Sequence, residues 1–224
     1  TVAPIADFDR DPLLALHGDV LRDSKNLRYV GYLSSTGVYG DYDGAWVTEE
    51  SEMRCVDAKS KARIEAEREW GQLERSGGNE NRGTRTDFFR CGGIYGPGRG
   101  PLFSTVANLD AALESGEEET LETPKYVNRI LVDDICGAIV SAVSSDRPCY
   151  DGIGRAYNLV DDNPAPRRDV VIEARRLLLP FNSGDLPKRK GKGRGKQRIT
   201  RNTGNKRCRN LRLKEEYGWK SRAP

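Results

Sequence analysis

The chain has 224 residues, with 37 Lys and Arg against 34 Asp and Glu, and its formal net charge is +3. This length is enough to bury a sizeable core in one large or two small domains. The sequence has a single histidine, which disfavours histidine-dependent triads and most zinc enzymes, and it has no apolar run near the ~18 residues of a membrane span.

The five cysteines are scattered, odd in number and without a Cys-x-x-Cys pair. This usage favours reduced thiols over a disulfide framework or a zinc site. We therefore predict an intracellular protein, in the cytoplasm or in an organellar stroma such as that of a plastid. We expect no metal site and no membrane partner.

In chain order, leucines and valines at helical spacing predict a helix at 11–24. An apolar, aromatic run at 28–34, bounded by turn residues, predicts a buried strand. This strand runs into three hydroxyl side chains, Ser34, Ser35 and Thr36. Because open α/β sheets bind ligands beyond the carboxyl ends of their strands, these hydroxyls indicate a site.

The remaining elements alternate between helix and strand. A loop rich in Gly and Asp reaches Trp46, a helix follows at 57–73, and a strand at 84–91 runs into Gly92, Gly93 and Ile94. Such alternation predicts an α/β fold with a mainly parallel sheet. The further predicted helices lie at 102–113, 133–143, 170–179 and 211–217, and the further strands at 129–132 and 156–160.

Charge is unevenly distributed along the chain. Residues 186–214 hold thirteen Lys or Arg and no Asp or Glu, which leaves 24 basic against 34 acidic residues elsewhere. Few apolar residues and many glycines predict a flexible basic insert at about 184–209. Contact with the acidic body of its own or another copy is one alternative. A nucleic-acid partner is less favoured, because no aromatic residues are interleaved for base stacking.

Five segments match known motifs in the right order. Ser34 to Gly40 reads Ser-Ser-x-x-Val-Tyr-Gly, and Arg90 to Gly98 reads Arg-x-x-x-Ile-Tyr-Gly-Pro-Gly. Together they resemble the extended short-chain dehydrogenase/reductases, the NAD(P)-dependent sugar epimerase/dehydratase group. The other matching segments are 128–135, 157–159 and 210–219.

The resemblance implies a Rossmann-like doubly wound parallel sheet with a small α/β substrate-side lobe. Residues 1–100 would form the dinucleotide-binding part. Residues 101–224 would form the substrate-side lobe, mixed with returning Rossmann elements and carrying the basic insert. The implied cofactor is NAD or NADP, and the implied substrate is a small polar molecule of the nucleotide-sugar kind. Homo-oligomer formation is left open.

The resemblance also implies roles for individual residues. Ser35 would polarise the substrate oxygen, and Lys61 would orient the nicotinamide ribose. The cofactor would further contact Ser34 and the Gly92-Gly93-Ile94 turn. Candidate substrate contacts are Ser35, Thr36, Arg99 and Arg129, the arginines because guanidinium suits planar anionic groups.

Two departures from the family pattern matter. The Gly-x-x-Gly-x-x-Gly turn that binds the pyrophosphate is absent, so we expect the chain to match the C-terminal two-thirds of a family member, with that site upstream of Thr1. In the Tyr-x-x-x-Lys pair, Lys61 is retained and Asp57 replaces the tyrosine.

A carboxylate with an ordinary pKa near ~4 is a poor substitute for a phenol near ~10. We expect Asp57 to cap its helix, with a catalytic acid/base role as the alternative. Two functions stay open, an enzyme with an atypical active site and a non-catalytic dinucleotide-binding scaffold or sensor.

Overall fold

The computed structural model describes residues 11–74, 83–97, 125–149, 153–178 and 204–222. The helices of these residues are α1 Pro12–Asp23, α2 Ala58–Gly71, α3 Val132–Val143, α4 Arg167–Leu178 and α5 Leu211–Tyr217, with a 3₁₀ turn at Thr36–Tyr39. The strands are β1 Tyr29–Ser35, β2 Trp46–Val47, β3 Arg85–Cys91, β4 Gly93–Tyr95, β5 Tyr126–Val127, β6 Arg129–Leu131, β7 Arg155–Leu159, β8 Ala165–Pro166 and β9 Arg207–Cys208.

The central sheet has three parallel strands in the order β1-β3-β7. Ser35 pairs with Cys91, and Cys91 pairs with Leu159, so the carboxyl ends of all three strands meet at one edge. All seven residues of β3 are buried. A strand buried on both faces is typical of a parallel sheet covered by helices, and the predicted α/β class is confirmed.

Helices cover both faces of this sheet. On one face, α1 and α2 enclose a cluster that includes Leu14, Tyr32, Trp70 and Phe88. On the other face, α3 and α5 contribute to a second cluster, formed by Phe89, Cys91, Ile130, Ile135, Ala138, Ala142, Tyr157, Leu159, Leu213 and Trp219. The sheet is therefore doubly wound, as the resemblance implies.

Two short parallel pairs extend the architecture beyond the carboxyl edge, β4 with β6 and β2 with β9. The prediction of a flexible insert up to residue 209 is wrong at its end, because residues 207–208 form β9. There Cys208 packs with Val47 and Val160, and Lys206 is only 3% exposed. The burial of these side chains outweighs the basic, glycine-rich composition on which the prediction rested.

Most other predicted elements are confirmed within a few residues. The closing helix has the predicted bounds, and α4 begins three residues earlier than expected. The predicted helix at 102–113 and most of the basic insert lie outside the described residues, so the domain boundary near residue 100 stays a prediction. In the described ranges, no helix is both long and apolar enough to span a membrane.

Candidate active site

Ser35 is the last residue of β1 and begins the 3₁₀ turn. Its Oγ accepts a hydrogen bond from the Gly37 N–H at 3.1 Å. A serine hydroxyl has one proton to donate and two lone pairs, so this contact uses a lone pair and leaves the proton for another acceptor. The neighbouring Thr36 is buried, with its Oγ1 3.5 Å from the carbonyl oxygen of Cys91.

Ser34 points to the opposite face of the sheet, as alternation along a strand requires. It is 6% exposed, and its Oγ donates to Oε1 of Glu67 on α2 at 2.5 Å. The structure thus places Ser34 in the interior, apart from the half-buried Ser35. Its predicted cofactor contact would require this buried hydrogen bond to open.

Glu67 continues the buried polar network that Ser34 enters. Its Oε2 accepts from Arg90 at 2.8 Å, and Arg90 also donates to the Tyr39 hydroxyl at 2.9 Å. Tyr39 in turn donates to Oδ1 of Asn158 on β7 at 2.7 Å. Burial raises the pKa of Tyr39, against the opposing effect of Arg90. The network therefore joins α2, β1, β3 and β7 below the candidate site.

The first turn of α2 lies beside the 3₁₀ turn. A Cβ placed on Gly37 would be 3.1 Å from Oγ of Ser60, which shows how closely the two segments approach. Asp57 caps α2 by accepting from the Ser60 N–H at 2.9 Å, and the predicted cap is confirmed. Lys61 is exposed one helical turn later, and among the described residues its ammonium group has no hydrogen-bond partner.

The cap also affects the ionisation of Asp57. Burial raises its pKa, but hydrogen bonds from Ser60 and the nearby charge of Arg63 outweigh that effect, and the net pKa is lowered. The carboxylate is therefore ionised at neutral pH. Its catalytic role stays a prediction.

The glycine turn after β3 follows a tight course. The Gly92 N–H donates to the Leu159 carbonyl, and the Gly93 N–H donates to the Asn128 carbonyl at 2.7 Å. A Cβ on Gly92 would be 2.8 Å from that same Asn128 oxygen, so only glycine fits. Gly93 is exposed, and a Cβ there would meet only Asn128 O at 3.4 Å.

Ile94 continues this turn into β4 and pairs with Ile130 of β6. Because Gly92 directly follows Cys91, which pairs with Ser35, the turn begins at the same edge of the central sheet as Ser35.

Arg129 is held by a buried carboxylate. Its Nε lies 3.2 Å from Oδ2 of Asp161, which is 2% exposed, and one terminal nitrogen donates to the Asn163 carbonyl at 2.9 Å. Burial raises the pKa of Asp161 to about 6, against the opposing effect of Arg129. A substrate anion would have to compete with Asp161 for this guanidinium. The other candidate arginine, Arg99, lies outside the described residues.

Lys206 is a residue of this region that the sequence did not single out. Its Nζ donates to the Gly40 carbonyl at 3.0 Å, and burial lowers its pKa, with Asp57 and Cys55 among the nearby groups that act the other way. The Lys206 carbonyl accepts from the Asn128 side chain at 3.0 Å. Lys206 lies in a long basic run, so its composition gives no signal that separates it from its neighbours.

No protein-family model and no curated protein matches the chain. Among solved structures, a conserved protein of unknown function from Silicibacter pomeroyi is 33% identical, with a TM-score of 0.69. The match covers 99% of this chain and 71% of that protein.

Two further structures share the fold at lower identity. The Bacillus anthracis dTDP-glucose 4,6-dehydratase, in complex with NAD, is 19% identical over 99% of this chain and 67% of its own, with a TM-score of 0.63. MoeE5, in complex with UDP-glucuronic acid and NAD, is 20% identical over 88% and 60%, with a TM-score of 0.61. The chain thus spans 60% to 71% of the lengths of these three proteins.

At these identities the dehydratase and MoeE5 establish the fold, and the first match establishes the relationship. The Rossmann-like class expected from the sequence is confirmed. The chain belongs to the same family as the Silicibacter pomeroyi protein and has the fold of the NAD-dependent epimerases and dehydratases.

Proposed function

We propose that this protein is an NAD(P)-dependent epimerase, dehydratase or reductase that acts on a small polar substrate of the nucleotide-sugar class. The observation that carries the proposal is the arrangement around Ser35. Its hydroxyl proton is available at the carboxyl edge of a parallel sheet, beside the helix that carries Lys61. The fold is shared with a dTDP-glucose dehydratase and with MoeE5, both in complex with NAD.

The residues at this edge fit one half of the cofactor. Gly93 is exposed and has no side chain, which leaves room for a flat ring against the backbone. Lys61 has three ammonium donors for ribose hydroxyls. The sequence holds no Gly-x-x-Gly-x-x-Gly turn, so this fit covers the nicotinamide and ribose and not the pyrophosphate.

A nicotinamide held there would exchange a hydride with a carbon that bears an oxygen. Ser35 would donate a hydrogen bond to that oxygen, while Gly37 keeps the serine oriented. Asp57 stands in the position of the family's tyrosine, yet its lowered pKa leaves no proton to donate at neutral pH. A water molecule or another residue would therefore carry the proton.

A second candidate is a non-catalytic scaffold or sensor that binds a dinucleotide. The observation that favours it is the role of Asp57 as a helix cap, because its carboxylate already accepts a hydrogen bond from the Ser60 N–H. A helix cap contributes about 1 kcal/mol to stability, which explains the residue without any catalysis.

The test is turnover of NADH and NADPH with UDP- and dTDP-linked sugars, using the longest natural form of the protein. We expect Ser35→Ala to lower kcat by about 10²-fold or more, the range for losing a donor to a developing oxyanion. The matched control is Ser144→Ala, an exposed serine at the end of α3. Equal kcat values for the two variants would contradict the proposed role of Ser35.

Lys61→Met separates the two candidate functions, with Lys59→Met, an exposed lysine on another side of the same helix, as its control. In the enzyme, Lys61→Met weakens cofactor binding and lowers turnover together. If the protein is a scaffold, we expect the unaltered protein to turn over no sugar. Calorimetry should then still show dinucleotide binding, and Lys61→Met should weaken it. Unchanged cofactor binding in Lys61→Met excludes both roles for this lysine.

A further inference from the structure

The pair β2–β9 presents a cationic and aromatic face to solvent. In parallel register, Trp46 lies opposite Arg207 and Val47 lies opposite Cys208. Val47 and Cys208 point inward and are buried, so alternation directs their neighbours outward. We call the outward positions, together with the adjoining Tyr126, the ribbon face. Its members are Trp46, Thr48, Tyr126, Arg207 and Arg209.

The ribbon face is organised by contacts between guanidinium groups and rings. Trp46 is 41% exposed, and the guanidinium carbons of Arg207 and Arg209 lie 5.0 and 4.6 Å from its ring centroid. Arg207 also lies 4.7 Å from the ring of Tyr126, and its Nε donates to the Gly44 carbonyl at 2.7 Å. These contacts fix the positions of two positive charges beside two aromatic rings.

The exposure of Trp46 is unusual within this molecule. The sequence has three tryptophans, and the other two, Trp70 and Trp219, are 2% and 4% exposed. None of the five members of the ribbon face is acidic. In sequence, the strongly basic stretch 186–201 precedes β9.

We propose that the ribbon face binds single-stranded nucleic acid. Guanidinium groups match phosphate oxygens in charge and geometry. Exposed aromatic rings and arginine planes offer stacking surfaces to unpaired bases, at about 1–3 kcal/mol per base. A run of acidic side chains would engage the arginines but would offer no ring to Trp46, whereas a single strand supplies a phosphate and a flat base with every nucleotide, so the nucleic acid is the better fit.

The basic segment itself contains no aromatic residues, and the ribbon face supplies them. The aromatic residues come from distant parts of the chain, since β2 and β9 are about 160 residues apart and Tyr126 belongs to β5. The proposal does not depend on the proposed oxidoreductase function. The ribbon face uses none of the residues assigned to that site.

The test is binding of a fluorescein-labelled dT₁₂ oligonucleotide to the 224-residue chain, followed by anisotropy at two salt concentrations. We expect Trp46→Ala to weaken binding by about 5- to 150-fold, the loss of one stacked base at about 1–3 kcal/mol. Arg209→Gln should weaken binding and reduce the salt slope by about 0.7, one phosphate contact on a single strand. Arg68→Gln removes the same charge from an exposed site on α2 and should leave binding unchanged.

Two controls complete the experiment. Quenching of tryptophan fluorescence by the oligonucleotide should be lost in Trp46→Phe, since the other two tryptophans are buried. Polyglutamate should compete weakly. The proposal is overturned if dT₁₂ does not bind or if Trp46→Ala and Arg209→Gln bind like Arg68→Gln. It is also overturned if polyglutamate competes as well as the unlabelled oligonucleotide.

Discussion

Glu67 offers the sharpest test of what stabilises the sheet edge below the candidate site. It is 4% exposed and accepts from Ser34 at 2.5 Å and from Arg90 at 2.8 Å. Glu67→Ala would leave the Arg90 guanidinium, itself 5% exposed, with the Tyr39 hydroxyl and a more distant Glu49 carbonyl. Removing one partner of a buried ion pair costs about 3–5 kcal/mol, because the remaining charge stays desolvated.

The assay is urea unfolding followed by circular dichroism, with the free energy of unfolding taken from the linear dependence on denaturant. The control is Glu65→Ala on the same helix, which breaks an exposed pair with Arg68 and should cost about 0.5 kcal/mol or less. Glu67→Gln should fall between the two, because an amide retains acceptor and donor groups without the charge. A difference below about 1 kcal/mol between Glu67→Ala and Glu65→Ala would refute the reasoning.

Two further predictions concern backbone strain and pH. Gly40 has φ of +70°, and a Cβ there would lie 2.5 Å from the Arg54 carbonyl oxygen. Gly40→Ala should therefore lower the melting temperature more than Gly218→Ala, whose φ is similar but whose Cβ would meet nothing within 4 Å. Asp161 has its pKa raised to about 6, so the folded state retains a proton that the unfolded state loses near pH 4. The contribution of Asp161 to stability should fall by up to about 3 kcal/mol from pH 4 to pH 6, so the unaltered chain should lose that much stability relative to Asp161→Asn in urea titrations at the two pH values. Equal melting temperatures for the glycine variants, or an unchanged pH slope in Asp161→Asn, would contradict these predictions.

Elements with a strong local pattern could be predicted from the sequence. The apolar run of β1 and the leucine spacing of α1 each define an element without reference to the rest of the chain. The alternation of such elements is enough to indicate a parallel sheet. The two-residue strands β2 and β9 have no such signal, because each exists only through pairing with the other. Their absence from the prediction led directly to the overextended insert.

The candidate site could be predicted only in part, for a related reason. The cap at Asp57 depends on residues within one helical turn, so the sequence around it was sufficient. The partner of Arg129 is Asp161, which follows it in sequence only after α3 and β7. No local feature of the sequence links the two residues. A basic residue selected as an anion ligand can therefore be already engaged by an acid that only the fold reveals.

The two adjacent serines at the end of β1 show how the fold distinguishes residues that the motif treats together. Consecutive side chains on a strand point to opposite faces, so Ser34 and Ser35 lie in different surroundings. Ser34 donates its only proton to Glu67 inside the buried network, whereas Ser35 receives a hydrogen bond and keeps its proton. Replacing Ser34 should therefore act mainly on stability, and replacing Ser35 mainly on chemistry. Ser35 is therefore the candidate catalytic hydroxyl, while the buried network explains why a second hydroxyl precedes it.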